Sequence, residues 1–224
     1  MGSKTAIIED FLNYYRLRDI ETPPFAYVIN REEVIESCEL CYMPFIELKV
    51  PLKVEIFTTD VENWKSQIPG KPIMAESWVI GDRFFKEKLE KLLPGAFYIK
   101  QVEISSFLRK TPQAMRKRQS EKSSQHQPGA FYSFHPREKI FLDRGLKKMY
   151  PPIDCPVCKR AIPDIPFDAA IIPDIPPSRP QAGCLADLPF EGYDYLFHEC
   201  VVPVLQKAFP KMLFEELSPE PFLF

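Results

Sequence analysis

The clearest pattern along the chain is an amphipathic helix followed by a strand. Over residues 78–93 the apolar side chains recur at helical spacing, and the helix is predicted to begin near Asp82. Pro94-Gly95 ends it, and residues 97–104 (FYIKQVEI) then alternate like a strand. Helix, stop and strand form one predicted unit, and its apolar helix face consists of Phe84, Phe85, Leu89, Leu92 and Leu93.

The same unit recurs further along the chain. Residues 195–217 (YLFHECVVPVLQKAFPKMLFEEL) align with residues 78–104 with one small gap, so that Leu89 matches Leu205 and Pro94 matches Pro210. Any amphipathic helix followed by a strand would give much of this similarity, so duplication and chance are equally open. Both interpretations predict the same buried residues, namely Trp78, Phe84, Phe85, Leu89, Tyr195, Val201, Val202 and Leu205.

Two further segments have apolar periodicity. Residues 45–57 (FIELKVPLKVEIF) alternate between apolar and polar side chains, and Pro51 interrupts them, which predicts two strands or one strand with a bulge. Residues 6–15 fit a short amphipathic helix, while Tyr14 and Tyr15 at their end fit a strand almost as well.

Strands and helices together predict a mixed α+β fold. We expect mostly antiparallel sheets with helices on one face and CxxC zinc knuckles at the periphery. The 224 residues suffice for one domain, 1–224, or for two lobes, 1–108 and 128–224. In the second case a basic mobile loop, 109–127, joins the lobes.

Two connecting segments have unusual compositions. Residues 109–127 are rich in Lys and Arg, which indicates a solvated loop or, alternatively, a contact patch for an acidic partner or nucleic acid at Arg116-Lys117-Arg118. No aromatic residue lies between these charges, so base stacking has no support. Residues 150–180 are rich in proline and are expected to run extended as a rigid spacer or, alternatively, as a PxxP-type ligand.

Composition argues against the common enzyme sites. The chain has 24 prolines and only 8 glycines, whereas phosphate-binding loops need glycines so that the backbone can approach the ligand. The three histidines, His126, His135 and His198, show no spacing typical of a nucleophile triad. We therefore expect a protein without catalytic residues or an organic cofactor.

Charge and hydropathy bear on partners and location. The net charge is −2 and the pI is about 6.0, so the chain as a whole is no polyanion binder. No apolar run reaches the roughly 20 residues of a membrane span, and the N-terminal residues lack the apolar core of a signal peptide. We expect a soluble, cytoplasmic protein that does not bind membranes.

The cysteines offer the most specific chemistry. Cys38 and Cys41 form one CxxC pair, and Cys155 and Cys158 form another. Two such pairs can supply the four thiolates of a tetrahedral structural zinc site. The pairs are much further apart in sequence than in a compact zinc ribbon, so a metal-free arrangement and redox chemistry stay open as alternatives. Two further cysteines, Cys184 and Cys200, are expected to be plain core or surface thiols.

The order of the motifs resembles a known family. Tyr15-Arg16-Leu17, a first CxxC, Val-Ile-Gly-Asp-Arg-Phe before a helix, a CPxC with aspartates and prolines, and a final Phe-Glu-Glu-Leu follow one another. In this order the chain, from about residue 15 to residue 217, resembles the double-CXXCG-motif family of bacterial proteins. That family includes immunity partners of toxins delivered between cells during swarming competition.

The resemblance implies a cytoplasmic immunity protein, or antitoxin, that acts in interbacterial competition. It would bind a cognate toxin stoichiometrically and cover the toxin's active site. The chain departs from the family at the glycine that follows each CxxC, where it has Tyr42 and Lys159. Glycine eases a tight turn, so this departure weakens the case for zinc, most of all at Cys38 and Cys41.

Two functions follow from the sequence. As an immunity protein, the chain would use acidic clusters against a basic toxin surface, although such clusters are often only solvated faces. The alternative is a zinc-ribbon regulatory or nucleic-acid-associated module, whose nucleic-acid affinity would fall steeply with salt. The candidate acidic residues are Glu32, Glu33, Asp187, Glu191, Asp194, Glu215 and Glu216.

Overall fold

The structure is a computed structural model, and it describes part of the 224-residue chain. The described residues are 14–20, 25–34, 50–58, 69–76, 78–109, 122–123, 130–149, 152–159, 161–163, 173–175, 178–185 and 195–217. Residues 6–13 of the predicted helix 6–15 and residues 45–49 of the alternating segment 45–57 lie outside them, as does most of the basic segment 109–127.

Strands predominate among the described elements. They are β1 (Tyr14–Ile20), β2 (Phe25–Val28), β3 (Lys53–Thr58), β4 (Ile73–Ala75), β5 (Trp78–Asp82), β6 (Phe97–Arg109), β7 (Lys122–Ser123), β8 (Phe131–Pro136), β9 (Glu138–Leu142), β10 (Pro152–Asp154), β11 (Ala161–Pro163), β12 (Pro173–Asp174), β13 (Ala182–Leu185), β14 (Tyr195–His198) and β15 (Met212–Glu216). The helices are α1 (Arg31–Val34), α2 (Arg83–Leu92), α3 (Arg144–Met149) and α4 (Val202–Ala208).

Six strands form a closed barrel. Their order is β3-β2-β4-β5-β8-β6, and β6 also pairs in parallel with β3, which closes the ring. Side chains alternate along a strand, and Leu52, Val54 and Ile56 therefore all point inward and are fully buried. This confirms the alternation that the sequence predicted, over the part of residues 45–57 that is described.

Strand β7 pairs antiparallel with β6 of the barrel. The other eight strands form a second, curled sheet and a small hairpin. The sheet has the order β12-β9-β13-β14-β1-β15, and β10 pairs with β11 alone. Strand β1 is antiparallel to both β14 and β15. Tyr14 and Tyr15 thus belong to a strand, in agreement with the second of the two interpretations of this segment. Most pairings in the molecule are antiparallel, as predicted.

The barrel and the second sheet repeat one topology. Helix α2 joins β5 to β6, with β8 antiparallel between them, and α4 joins β14 to β15, with β1 antiparallel between them. On the other side of β5, β4 pairs antiparallel with β5, and β2 pairs in parallel with β4. In the same way, β13 pairs antiparallel with β14, and β9 pairs in parallel with β13. Strands β3 and β12 occupy corresponding places next to β2 and β9. The predicted recurrence of the helix–strand unit agrees with this topology.

A shared core holds the two sheets together. The buried cluster between them takes Val79, Phe134 and the inner face of α2 from the barrel side, and residues of β1, β14 and α4 from the other side. Seven of the eight side chains predicted to be buried are buried in the structure. They are Trp78, Phe85, Leu89, Tyr195, Val201, Val202 and Leu205.

The prediction for Phe84 is wrong. Its side chain is 64% exposed, whereas that of Phe85 is 0% exposed. The reason is the start of α2, because Asp82 is the N-cap and its carboxylate accepts a hydrogen bond from the Phe85 N–H at 2.8 Å. This cap fixes the rotational phase of the helix and turns Phe85 toward the core and Phe84 toward solvent.

Helices pack on both faces of the second sheet. Helices were expected on one face, yet α3 and α4 contact opposite faces of the second sheet. Leu146 of α3 packs with Leu196, and Leu205 of α4 packs in the cluster of Tyr195. Along the chain the barrel ends with β8, which pairs with both β5 and β6, and the second sheet continues with β9.

Candidate functional site

The second CxxC pair lies in the turn of a short hairpin. Strands β10 and β11 pair antiparallel, and Cys155 and Cys158 lie in the connection between them. Cys155 is buried and Cys158 is half-buried. The Lys159 N–H donates to the Cys155 carbonyl at 2.9 Å, which closes the turn around the two cysteines. The chain thus brings both thiols to one end of the hairpin.

Lys159 has the backbone conformation that glycine favours. Its φ is 59°, in the left-handed region where a side chain introduces strain. This is the position at which the double-CXXCG pattern has glycine. The chain has Lys159 in place of this glycine. The turn therefore keeps its shape with a strained backbone at Lys159.

The two CxxC pairs occupy corresponding places in the repeated topology. Cys155 and Cys158 lie between α3 and β12, and Cys38 and Cys41 lie between α1 and β3 in the sequence. Cys38 and Cys41 are outside the described residues. Among the residues that are described, no three His, Cys, Asp or Glu side chains form a metal-binding group.

The other two cysteines match the expectation of plain thiols. Cys184 is buried in β13, and burial raises the pKa of its thiol to about 11, although nearby Lys139 acts in the opposite direction. The thiol is therefore protonated and unreactive near neutral pH. Cys200 is exposed between β14 and α4, and its backbone N–H donates to His198 Nδ1 at 3.2 Å.

A buried polar pair lies on the inner side of the barrel. Phe131, Ser133 and His135 are every second residue of β8, so Ser133 and His135 share the face of Phe131, a member of the barrel core, and both are buried. The Ser133 hydroxyl and His135 Nε2 are hydrogen-bonded at 2.8 Å. Burial, with a smaller contribution from the positive charge of Lys100, lowers the pKa of His135 to about 4. The imidazole is therefore neutral at physiological pH, and this pair serves as an internal polar contact.

The low pKa of His135 makes a prediction about acid stability. The pKa of an unfolded histidine is about 6.5. Below that pH the unfolded chain therefore binds a proton at His135 that the folded chain does not bind. Stability is complete above about pH 6.5 and falls by up to roughly 3 kcal/mol as the pH decreases toward 4. Urea unfolding from pH 7.5 to 4.5 measures this. His135→Gln should show a shallower pH dependence than the unmodified chain, and equal slopes would contradict the assignment.

Two other buried polar groups tie structural elements together. The Tyr195 hydroxyl donates to the Phe134 carbonyl at 2.6 Å and accepts from the Val79 N–H at 3.1 Å. The Asp82 carboxylate accepts from the Gly70 N–H at 3.0 Å in addition to capping α2. Sequence periodicity placed Tyr195 in the core, but no local signal indicated that its hydroxyl joins the second sheet to the barrel.

The acidic clusters differ in what they present to solvent. Glu33 and Glu216 are exposed. Glu215 is held by a 3.0 Å ion pair with Arg16 of the neighbouring strand β1. Asp187, Glu191 and Asp194 lie outside the described residues, and of Glu32 only the backbone is described.

An exposed apolar surface lies on the outside of the barrel. Tyr27 is 48% exposed and Ile29 is 46% exposed, and the rings of Tyr27 and Phe57 meet edge to face with centroids 5.1 Å apart. We call these three residues the barrel patch. Asn30 anchors its end, since its side chain accepts from the Lys53 N–H at 2.8 Å and donates to the Pro51 carbonyl at 3.0 Å. Glu33 of α1 follows directly along the chain.

Within the described part of the chain, no helix combines the length and the apolar character that crossing a bilayer requires. No protein-family model matches the chain, and no curated protein or solved structure matches it either.

Proposed function

We propose that this protein is an immunity protein, an antitoxin that binds a cognate bacterial toxin and covers its active site. The observation that carries the proposal is the barrel patch, in which Tyr27 and Ile29 leave about half of their surface in solvent. Exposed apolar surface that contains an aromatic residue is typical of protein-binding sites. The order of the motifs, which resembles the double-CXXCG family, supports the choice of a toxin as the partner.

The proposed mechanism is binding without turnover. Tyr27, Ile29 and Phe57 would supply desolvated contact area, and the exposed carboxylate of Glu33 would attract a basic surface of the toxin. The buried polar groups Asp82, Ser133, His135 and Tyr195 already make hydrogen bonds inside the fold. Inhibition would therefore be stoichiometric, and it would take place in the cytoplasm, where a delivered toxin acts.

Co-expression tests the proposal directly. The chain should protect bacteria from a toxin encoded beside it, and the two proteins should co-purify as a complex. Protection should require comparable molar amounts of both proteins. Protection at one copy of this chain per many toxin molecules would contradict stoichiometric cover, and protection without any complex would contradict binding.

Substitution in the barrel patch should weaken the complex. Tyr27→Ala removes a half-exposed aromatic ring, and loss of an interface anchor costs at least about 2 kcal/mol, or roughly 30-fold in Kd. Calorimetric titration against the toxin measures this. Tyr98→Ala is the matched control, because Tyr98 is also exposed but lies on β6, under the guanidinium of Arg137. Equal losses in the two variants would remove the patch from the interface.

We also propose that Cys155 and Cys158 bind a structural zinc ion together with Cys38 and Cys41. The hairpin turn fits this role, because it presents two thiols from one closed turn. The corresponding positions of the two CxxC pairs in the repeated topology also support it. When bound, zinc would cross-link the two halves of the chain and would take no part in chemistry. The strained Lys159 is a cost that the bound metal would have to offset.

The zinc proposal predicts a measurable metal content. Protein purified without added metal should contain about one zinc per chain, and removal of the metal by a strong chelator should lower the thermal unfolding midpoint. Plasma emission analysis and calorimetry measure the two effects. The control variant Cys200→Ser should keep the zinc content of the unmodified chain, since Cys200 is exposed and outside both pairs. Absence of zinc together with four freely titratable thiols at residues 38, 41, 155 and 158 would end the proposal.

A further inference from the structure

Strand β1 fills a slot next to the edge of the second sheet. It lies between β14 and β15, and it is antiparallel to both. Leu17 and Ile20 are buried in the core between the sheets, and the Tyr14 hydroxyl donates to the Pro180 carbonyl at 2.9 Å. Arg16 adds its ion pair with Glu215. The second sheet is therefore completed by a strand that is remote in sequence from all its neighbours in that sheet.

The barrel fills the corresponding slot differently. There β8 lies between β5 and β6, and it belongs to the same continuous stretch of chain as both of them. In the second sheet the corresponding strand comes from the other end of the sequence. Seven strands, β2 to β8, separate β1 along the chain from β9, the next strand of its own sheet. Of the two sheets, only the second can thus receive the strand in this slot from elsewhere without rearranging its own connections.

The link between β1 and the barrel is short and rich in proline. Strand β1 ends at Ile20, β2 begins at Phe25 in the barrel, and the sequence between them is Glu21-Thr22-Pro23-Pro24. Each proline fixes its own φ and favours an extended residue before it. These four residues join β1 to the barrel and not to its own sheet, which holds β1 through pairing with β14 and β15.

We infer that two copies of this chain exchange β1 and form a strand-swapped dimer. In the exchanged pair, Tyr14, Leu17 and Ile20 make the same contacts with β14 and β15 that they make within one chain, and only the path of the link differs. The contact energies of the two forms therefore nearly cancel, and the balance between them depends on protein concentration and on the conformation of the link. The partner in this interaction is a second copy, so the inference does not depend on the toxin.

A mixture of two full-length variants tests the exchange. One copy carries Arg16→Cys and the other carries Glu215→Cys, both in a background with Cys200→Ser. Residues 16 and 215 are opposite each other in the β1–β15 pair, at a separation that a disulfide can span. After joint incubation at high concentration and mild oxidation, we expect a covalent dimer joined through residues 16 and 215. Non-reducing electrophoresis and peptide mass spectrometry detect it.

The barrel supplies the matched control. Gln101 and Tyr132 are opposite each other in the β6–β8 pair, so copies with Gln101→Cys and Tyr132→Cys should give no linked dimer. Thermal unfolding of each variant alone shows that it is folded. Gel filtration of the unmodified chain should show a dimer whose share rises with concentration. No linkage between residues 16 and 215, or equal linkage in both mixtures, would overturn the inference.

Discussion

Replacing Phe85 with alanine is expected to lower the free energy of unfolding by about 3–5 kcal/mol. The ring of Phe85 is 0% exposed and contacts Phe134 at 5.0 Å and Phe209 at 4.7 Å between centroids. These two partners belong to β8 of the barrel and to the end of α4. The substitution thus leaves a cavity at the junction of the two sheets, where neither side can collapse without the other. Urea unfolding followed by circular dichroism measures the loss.

The adjacent residue provides the control for Phe85. Phe84 is 64% exposed, so Phe84→Ala should change the free energy of unfolding by no more than about 0.5 kcal/mol. The two variants lose the same atoms from neighbouring positions of one helix. A similar cost for both would mean that Phe84 also packs in the core, and it would contradict the phase that the Asp82 cap gives to α2.

Replacing Tyr195 with phenylalanine is expected to cost about 2–4 kcal/mol, because two buried backbone groups lose their partner. The hydroxyl lies between the Val79 N–H and the Phe134 carbonyl, which are opposite each other in the β5–β8 pair. Removal of one oxygen leaves a donor and an acceptor unsatisfied in an apolar core, while the ring still fills its space. Urea unfolding again gives the magnitude.

Tyr98→Phe is the control for the Tyr195 substitution. Tyr98 is 54% exposed, and loss of its hydroxyl should stay within about 0.5 kcal/mol. Faster hydrogen exchange at the Val79 amide in Tyr195→Phe would identify the broken bond directly. If the Val79 amide stayed as protected as in the unmodified chain, the bridge between the sheets would not be the origin of the cost.

The sequence predicted the parts of this fold that depend on local periodicity. The helix near Asp82, its Pro-Gly stop and the strand at residue 97 all appear, because each follows from residues within a few positions of one another. Local periodicity did not distinguish the exposed Phe84 from the buried Phe85. Two adjacent phenylalanines fit one apolar face almost equally well, and only the cap decides which of them points inward.

Closure of the barrel and insertion of β1 were not predictable from the sequence. Both depend on pairing between strands that are far apart along the chain, β3 with β6 and β1 with β14 and β15. Such pairings leave no local signal beyond alternation, which any half-buried strand shows. The candidate metal site has the same limit. The CxxC spacing keeps Cys155 and Cys158 within one turn, but a sequence cannot show whether a distant pair of thiols reaches the same point.

The position of β1 also has a consequence for synthesis on the ribosome. Strand β1 leaves the exit tunnel long before both strands that pair with it, since β14 begins 175 residues after β1 ends and β15 begins later still. At about 5–20 residues per second, that delay lasts roughly 9–35 s. During this time Leu17 and Ile20 have no sheet to enter, while the barrel can already close behind them. The nascent chain is thus most exposed to chaperones, and to neighbouring chains on the same messenger RNA, before β14 and β15 emerge.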